Sequence, residues 1–396
     1  MDHIFIIGGV LFLLLFFVSY FFQKVRLPSL LSYIFLGVAL SWLFTGPELR
    51  VLDEISRTGI VLLFFLLGLH FPLNRLVSIS RRIWKAGVMD IVLNFGGTVL
   101  IAYLLGFDLV FSLIIGGVAY ASSSAMTIRL LEESGRKNSP EGEFKLALLI
   151  FEDLAAPVIV SVLVGLSATG IITGSALAIT FGKVVILTVA AILIAYFLFR
   201  KADILFQRYI NKDFMPLFAV SIAFIFAGIA ESMELSKLLG AFLAGVMLSE
   251  TGTSREFDRM IEPVKNLFMP FFFFWFGTSI DLGAGRFDFP AVMILILWGL
   301  IGKMIVGLWG GRLYGLTVKG SLRAAFSLGQ RGEFSVVIAA LAEIGLRLFL
   351  GVYISVTAVV GVYLFRMAPS LAEKFGDRWI ERGKKKQNDK NSGRKE

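Results

Sequence analysis

The chain of 396 residues contains no cysteine and only two histidines. The absence of cysteine excludes disulfides, thiolate metal sites and thiol redox sensing. Because histidine is so scarce, the composition also argues against a transition-metal site, and we expect no cofactor. Charged residues make up only 17% of the chain, whereas hydrophobic residues make up 57%. A single soluble core could not bury that share of apolar side chains, so the composition predicts a polytopic membrane protein.

The net charge of +9 would suggest a nucleic-acid partner in a soluble protein. Here the basic residues lie mainly in short loops and in the C-terminal segment, where they act as topology signals. We therefore expect the lipid bilayer as a partner and no nucleic acid. The N-terminus lacks the basic segment and cleavage site of a secretory signal peptide, so we expect the first apolar segment to be retained.

Apolar windows separated by charged or turn residues predict an all-α integral membrane fold of about thirteen transmembrane helices. The predicted spans are 3–22, 28–45, 57–71, 83–105, 108–131, 144–169, 173–199, 214–230, 235–249, 263–280, 289–316, 321–345 and 348–369.

The distribution of lysine and arginine over the loops predicts the orientation. If the N-terminus is outside, the outer connections hold little beyond Arg50, Arg286 and Arg347. Cytoplasmic loops carry the excess of basic residues, so this count places the C-terminus in the cytoplasm, with the chain in the plasma membrane. Lys183 fits this pattern poorly. The basic residues of the cytoplasmic side are then Lys24, Arg26, Arg75, Arg81, Arg82, Arg136, Lys137, Arg200, Lys201, Arg208, Lys212, Arg255, Arg259, Lys319 and the tail from Arg382 onward.

Two predicted spans are interrupted by polar residues near their middle. The fifth span carries Ala119-Tyr-Ala-Ser-Ser-Ser-Ala-Met-Thr127, and the twelfth carries Ser327-Leu-Gly-Gln-Arg-Gly-Glu-Phe-Ser335. Such breaks are tolerated at membrane depth where they line a cavity. They lie seven spans apart, an odd number, so the two halves of the chain would have opposite orientations. An inverted repeat with paired discontinuous helices is typical of a secondary transporter and predicts the position of its site.

A pair of adjacent carboxylates, Glu152 and Asp153, lies in the otherwise apolar sixth span. A charge near the bilayer centre costs at least about 2.5–3.5 kcal/mol on insertion scales, and a like-charged neighbour adds to that cost. Such a pair is stabilised by a proton or by a cation. The pattern therefore indicates an exchanger in which protons and cations compete.

Several motifs recur in a fixed order over nearly the whole chain. They are Leu27–Gly37, Gly59–Leu69, the serine run 122–124, Phe151–Leu154, Leu239–Val246, Pro270–Gly283 and Gly329–Phe334. Their order resembles that of the monovalent cation/proton antiporters of the CPA2 superfamily. Within that superfamily the chain is most similar to the KefC/KhtU-like potassium/proton antiporters, because Phe151-Glu-Asp is the variant of the motif that is associated with the KhtU branch.

The resemblance implies a fold like that of the sodium/proton antiporters, with two discontinuous helices that cross. It also implies a homodimer and elevator-like alternating access by a membrane domain over residues 1–370. In this scheme residues 1–71 and 214–280 form the dimerisation part, 83–169 and 289–369 form the transport core, and 173–199 form a linker helix. Residues 371–396 are expected to be a basic cytoplasmic tail. Because the chain shows no nucleotide-binding regulatory domain, the resemblance implies a separate cytoplasmic regulatory subunit.

The same resemblance assigns roles to single residues. Asp153 matches the family aspartate that coordinates the monovalent cation in one half-cycle and carries a proton in the other. Lys303 matches the lysine that pairs with this aspartate when no cation is bound. For Glu152 two roles stay open, namely a cation ligand or a structural partner of Lys303. Asp90, in the fourth predicted span, is expected either to line the inner funnel or to cap a helix.

The two polar breaks are expected to supply the rest of the cation cradle. Hydroxyl and unwound carbonyl oxygens are suitable ligands for a hard monovalent cation. Arg331 and Glu333 are expected to neutralise each other and the ends of the half-helices. The cradle residues are Ser122, Ser123, Ser124, Thr127, Gln330, Arg331 and Glu333.

The sequence therefore predicts a potassium/proton antiporter and not an enzyme. Sodium/proton exchange by the same fold is the nearest alternative, and a cation channel is an alternative of a different class. An intramembrane carboxylate enzyme is disfavoured because the two carboxylates are consecutive, whereas aspartic chemistry needs them on facing elements.

Overall fold

The computed structural model describes residues 4–44, 47–71, 83–169, 174–199, 214–283 and 287–392. The regular secondary structure within these ranges is helical, with one isolated bridge between two extended segments. The basic residues Arg75, Arg81, Arg82, Arg200, Lys201, Arg208, Lys212 and Arg286, which contributed to the predicted orientation, lie outside them. The described helices are α1 Ile4–Lys24, α2 Ser29–Ala39, α3 Pro47–Leu69, α4 Ile83–Leu104, α5 Leu109–Tyr120, α6 Ser124–Glu133, α7 Pro140–Thr169, α8 Gly174–Ile194, α9 Met215–Ser232, α10 Lys237–Ser249, α11 Ser254–Thr278, α12 Phe289–Tyr314, α13 Val318–Ala325, α14 Glu333–Ala339 and α15 Ile344–Ser392.

Among the described helices, seven are long and apolar enough to cross a membrane, namely α1, α4, α7, α8, α9, α12 and α15. Three shorter apolar helices, α2, α5 and α10, have 11 to 13 residues. The all-helical, multi-pass character of the chain is thus clear from length and composition. The count of thirteen spans and the inverted repeat stay predictions.

Two helices begin earlier than the hydropathy pattern predicts. The predicted spans begin at residues 57 and 263, because charged residues before these positions were excluded from the apolar windows. In the structure α3 begins at Pro47 and α11 at Ser254. In α3 the charges support the helix, since Arg57 pairs with Asp53 one turn earlier at 2.9 Å. In α11 the apolar positions Phe257 and Ile261 are one turn apart and both are buried. These segments are amphipathic helix that continues the apolar span.

The helices pack in two groups around the site. Helices α2, α3, α9, α10 and α11 contact one another, while α4 to α7 and α12 to α15 form the second group. Close approach in the first group depends on glycine, because a Cβ at Gly68 of α3 would collide with the backbone of Phe242 in α10. The assignment of these groups to a dimerisation part and a moving core stays a prediction.

Lys183, which fits the predicted orientation poorly, has a partner in the structure. Its Nζ donates a hydrogen bond to Glu234 Oε2 at 2.6 Å. Glu234 lies between α9 and α10, and this hydrogen bond holds the pKa of its carboxyl below the usual value. The lysine therefore extends from α8 to a loop carboxylate at the end of the helix bundle.

Candidate functional site

Both predicted breaks are present, and they contact each other. Helix α5 ends at Tyr120 and α6 begins at Ser124, while α13 ends at Ala325 and α14 begins at Glu333. The extended segments between them meet through an isolated antiparallel bridge from Ser122 to Arg331. Ser123 N also donates to Gln330 O at 3.0 Å. Backbone groups that no helix satisfies are thus paired across the two breaks, as an apolar interior requires.

Asp153 lies on α7 beside the first break and is 6% exposed. Its two carboxylate oxygens lie 2.9 and 2.8 Å from Ser124 Oγ. Ser124 is the first residue of α6, so its hydroxyl is held at the point where the chain resumes a helix. Among the described residues, no lysine, arginine or histidine lies within ion-pairing distance of Asp153. Its negative charge is consequently without a protein counter-charge, a costly state inside a membrane protein.

Glu152 points elsewhere, although it is adjacent to Asp153 in sequence. Its Oε2 accepts a hydrogen bond from Ser122 N at 2.6 Å, and its Oε1 lies 3.0 Å from Lys303 Nζ. Successive side chains on a helix diverge by about 100°, so the two carboxylates face different neighbours. Of the two roles left open for Glu152, the geometry corresponds to the structural partner of Lys303.

Lys303 lies on α12 and forms ion pairs with two carboxylates. Its Nζ is 2.9 Å from Asp90 Oδ2 and 3.0 Å from Glu152 Oε1, and all three side chains are fully buried. The structure thus differs from the expected pairing of Lys303 with Asp153. The reason is the divergence of neighbouring side chains on α7, which brings Glu152 rather than Asp153 to face α12.

Asp90 is the residue whose role the sequence left most open. It neither caps a helix nor lines the large cavity, since its Oδ2 pairs with Lys303 and its Oδ1 accepts from Asn94 Nδ2 at 2.7 Å. The π-helical segment Ile91–Gly96 begins directly after it, and a second one, Val306–Gly310, follows Lys303. Such π-bulges are rare and often lie at functional sites. The sequence indicated a role for Asp90 only through the presence of an acidic residue within the fourth predicted span.

The remaining cradle residues divide between the two breaks. Gln330 Nε2 donates to Thr127 Oγ1 at 2.7 Å, and both side chains are buried. Arg331 is also fully buried, and its Nη2 donates to Gly299 O at 3.3 Å. No ion pair joins the described side chains of Arg331 and Glu333, so their expected mutual neutralisation is not found. Glu333 is instead hydrogen-bonded to Ser123 and acted on electrostatically by Lys265.

A cavity of about 760 Å³ lies beside the site. Glu333 and Ala125 are among its lining residues, and Ala125 follows Ser124 directly in the chain. Arg26 and Arg136 lie among its other lining residues. Solvent can therefore approach to within one residue of the Ser124–Asp153 pair.

The family and the two relatives that this chain is similar to are cation/proton exchangers or antiporters. The transmembrane sodium/hydrogen exchanger family matches residues 11–371. The ammonium/H(+) antiporter subunit AmhT of Alkalihalophilus pseudofirmus is 45% identical over 368 residues, which cover 93% of this chain and 94% of AmhT. The K(+)/H(+) antiporter subunit KhtU of Bacillus subtilis is 32% identical over 327 residues, which cover 79% of this chain and 78% of KhtU.

A solved structure shows the same fold. The sodium proton antiporter MjNhaP1 of Methanocaldococcus jannaschii, at pH 8, superposes with a TM-score of 0.67 at 16% identity, covering 94% of this chain and 99% of that chain. The relatives are transporters and not enzymes, and the predicted resemblance to cation/proton antiporters is confirmed. With its multi-pass helical fold and its family match over most of its length, this chain belongs to the transmembrane sodium/hydrogen exchanger family and is a monovalent cation/proton antiporter.

Proposed function

We propose that this protein exchanges potassium or ammonium for protons and that Asp153 binds both the cation and the proton. One observation supports this site above the others. Asp153 is buried with Ser124 as its hydrogen-bond partner and with no described basic side chain to neutralise it. A carboxylate in that position gains stability from any small cation or proton that reaches it.

The choice of cation is supported by the relatives and by ligand chemistry. The relative at 45% identity is named for ammonium and the one at 32% identity for potassium. The two ions have the same charge and similar sizes, so a cradle of oxygens suited to one accepts the other. Ammonium also requires hydrogen-bond acceptors, which the Asp153 carboxylate and the Ser124 hydroxyl provide. Sodium is smaller and would need a tighter cradle.

Alternating access is proposed to follow the elevator scheme. In the predicted orientation, Arg26 and Arg136 belong to the cytoplasmic side, and both line the large cavity. The cavity would then open to the cytoplasm, and the structure would represent an inward-facing state. The group of helices that contains both breaks would move relative to the group that contains α3 and α11.

Two assembly partners form part of the proposal. Both curated relatives are named as antiporter subunits, which supports a separate regulatory protein on the cytoplasmic side. A homodimer through residues 1–71 and 214–280, a plasma-membrane location, an external N-terminus and a cytoplasmic C-terminus are proposed from the sequence. The basic segment 371–396 would lie on the same side as the regulatory protein.

Reconstituted protein tests the exchange and its site together. Proteoliposomes that contain a pH-sensitive dye should change their internal pH when potassium or ammonium chloride is added, and should respond less to sodium at equal concentration. Asp153→Asn should abolish the response to all three ions, because an amide can neither release a proton nor supply a negative charge.

The matched control is Asp258→Asn, the same chemical change at a carboxylate that pairs with exposed His70 on the surface. Its exchange rate should equal that of the original protein. Full exchange by Asp153→Asn would exclude Asp153 as the site, and a response to sodium alone would exclude the proposed cations.

A further inference from the structure

The cavity beside the site carries an excess of positive charge that cation transport does not explain. In the predicted orientation a cation enters this cavity from the cytoplasm, and like charges on the wall would repel it. A wall that attracts cations carries carboxylates instead. The arginines of the cavity therefore serve a different purpose. The charged lining residues, among those that the structure describes, are Arg26, Arg129, Arg136, Arg366, Glu133 and Glu333.

Three of these arginines have no carboxylate partner. Arg129 pairs with Glu133, one turn later in α6, at 2.9 Å. No ion pair joins Arg26, Arg136 or Arg366 to a carboxylate in the described part of the chain. We call these three residues the arginine cluster. Their positive charges are available to a ligand, because the protein itself does not neutralise them.

Contacts with the backbone hold the three guanidinium groups near one another. Arg366 Nη2 donates to Arg26 O at 3.3 Å. Arg136 Nη2 donates at 3.3 Å to the carbonyl oxygen of Phe365, the residue directly before Arg366. The guanidinium of Arg136 also lies 4.5 Å from the centre of the Phe365 ring. Like charges that are held this close repel one another, so an anion between them would stabilise the cluster.

Hydrogen-bond donors at this wall of the cavity lack acceptors. Arg136 Nη1 is buried and has no hydrogen-bond partner among the described residues. The buried amino group of Lys145 lies against the same Phe365 ring, 4.4 Å from its centre, and is also without a partner there. A buried donor that makes no hydrogen bond costs free energy. A ligand with several acceptor oxygens would remove part of that cost.

The arginine cluster spans the two groups of helices. Arg26 lies in the connection between α1 and α2, and α2 belongs to the first group. Arg136 follows α6 and Arg366 lies on α15, both in the second group. Arg26 has a φ of 59°, in the left-handed region that residues other than glycine rarely adopt. Its hydrogen bond from Arg366 is a contact between the groups, and a ligand on all three arginines would add to it.

The chemistry of the cluster favours a phosphate group. A guanidinium presents parallel N–H donors that match two oxygens of a phosphate. Basic pockets between transmembrane helices on the cytoplasmic side bind the headgroups of anionic lipids. The volume of about 760 Å³ lies within the range of small-molecule sites, roughly 300–1,000 Å³. Leu27, Met126 and Val362 add apolar wall to the same cavity.

We propose that Arg26, Arg136 and Arg366 form a binding site for a phosphate-bearing anion, and that the bound anion slows exchange by linking the two groups of helices. The phosphate is supplied either by the headgroup of an anionic phospholipid or by a soluble phosphate compound. The effect on exchange rests on the proposed function and its alternating access, whereas the binding does not.

Binding is measured on the full chain, purified in a neutral detergent, by thermal unfolding with tryptophan fluorescence. The protein is titrated with phosphatidylglycerol, phosphatidylcholine, inorganic phosphate, or chloride at equal ionic strength. An anion at about 100 times its Kd should raise Tm by about 3 °C. A larger rise with phosphatidylglycerol than with phosphatidylcholine would support a lipid headgroup, and a larger rise with phosphate than with chloride would support a soluble source. If neither rise occurs, the site is overturned.

Arginine-to-glutamine variants test the cluster. Arg366→Gln should weaken binding about tenfold, as expected for a lost charge-assisted hydrogen bond. Arg26→Gln should have a similar effect, and it keeps the site testable if Arg366→Gln does not fold. The matched control is Arg259→Gln, an exposed arginine of α11 that does not line the cavity. Binding that falls equally in Arg259→Gln, or in none of the variants, would overturn the site.

The effect on exchange is measured in proteoliposomes as potassium released under an imposed pH gradient. A potassium-selective electrode records the release, because added phosphate would buffer a pH signal. The stabilising anion should slow release by the original protein, and the concentration that halves the rate should rise about tenfold in Arg366→Gln. A rise in Tm without slower release would overturn the link between the helix groups.

Failure of this site and failure of the proposed function give different results. Asp153→Asn should lose exchange but keep the full rise in Tm, because Asp153 is not among the residues that line the cavity. An original protein that is stabilised by the anion but exchanges neither potassium nor ammonium would overturn the proposed function and leave the site intact. Exchange without any stabilisation would do the reverse.

Discussion

Glu152→Gln should destabilise the protein although the side chain keeps its size. The carboxylate accepts from Ser122 N and from Lys303 Nζ on its two oxygens. A glutamine has one oxygen and one NH₂ group, so one of these donors would face another donor. Removing one partner of a buried ion pair costs about 3–5 kcal/mol, and the lower end applies because Asp90 still holds Lys303.

The expected shift in melting temperature follows from the size of the chain. The entropy of unfolding of globular proteins is about 2.1 cal/mol/K per residue. Over 396 residues, a loss of about 3 kcal/mol corresponds to a fall in Tm of about 4 °C. Lys303→Met, which leaves two buried carboxylates without their cation, should lower Tm by about 4–6 °C.

A double-mutant cycle isolates the interaction between the two side chains. In Glu152→Gln with Lys303→Met, the unpaired ammonium and one unpaired carboxylate are both absent. The double variant should therefore lose about 1–3 kcal/mol less than the sum of the single losses. Thermal unfolding in detergent, followed by tryptophan fluorescence, measures all four proteins. Additivity to within about 0.5 kcal/mol would refute the reasoning, because it would mean that the two groups do not interact.

Two further predictions concern the side chains of Ser124 and Lys145. Ser124→Ala removes the hydroxyl that contacts both oxygens of Asp153, so the apparent KM for the cation in dye assays should rise about tenfold, as expected for a lost charge-assisted hydrogen bond; an unchanged KM would show that Ser124 is not a ligand. Lys145 has a fully buried amino group without a hydrogen-bond partner among the described residues, 4.4 Å from the ring of Phe365. Lys145→Met should therefore stabilise the protein by about 1–3 kcal/mol, and a lower Tm would contradict this expectation.

The sequence predicted those parts of the protein that depend on local pattern. The hydropathy of long apolar segments located α1, α4 and α7, because length and composition alone decide whether a helix can span a bilayer. The polar runs at 119–127 and 327–335 located both breaks, because polar interruptions at membrane depth are tolerated where the chain lines a cavity or is buried in protein. The acidic pair and the motif order identified the family.

The partners of the buried charges could not be predicted in the same way. The sequence placed Lys303 opposite Asp153 through the family resemblance, whereas the structure places it between Glu152 and Asp90. Which of two adjacent carboxylates faces another helix depends on the rotation of α7 about its axis. Successive side chains on a helix differ in direction by about 100°, so a shift of one residue changes which carboxylate faces α12. Periodicity does not resolve this, because α7 is buried on several sides.

By itself, the amino-acid sequence determined that the chain is a helical membrane protein with two interrupted helices and a carboxylate pair, since each of these follows from the cost of polar groups in hydrocarbon. Only the tertiary structure decided how the charges are shared. It joined the two breaks between Ser122 and Arg331, assigned Glu152 and Asp90 to Lys303, and gave Asp153 the hydroxyl of Ser124 as its hydrogen-bond partner among the described residues. These outcomes depend on contacts between residues as far as 213 positions apart, which local sequence patterns do not specify.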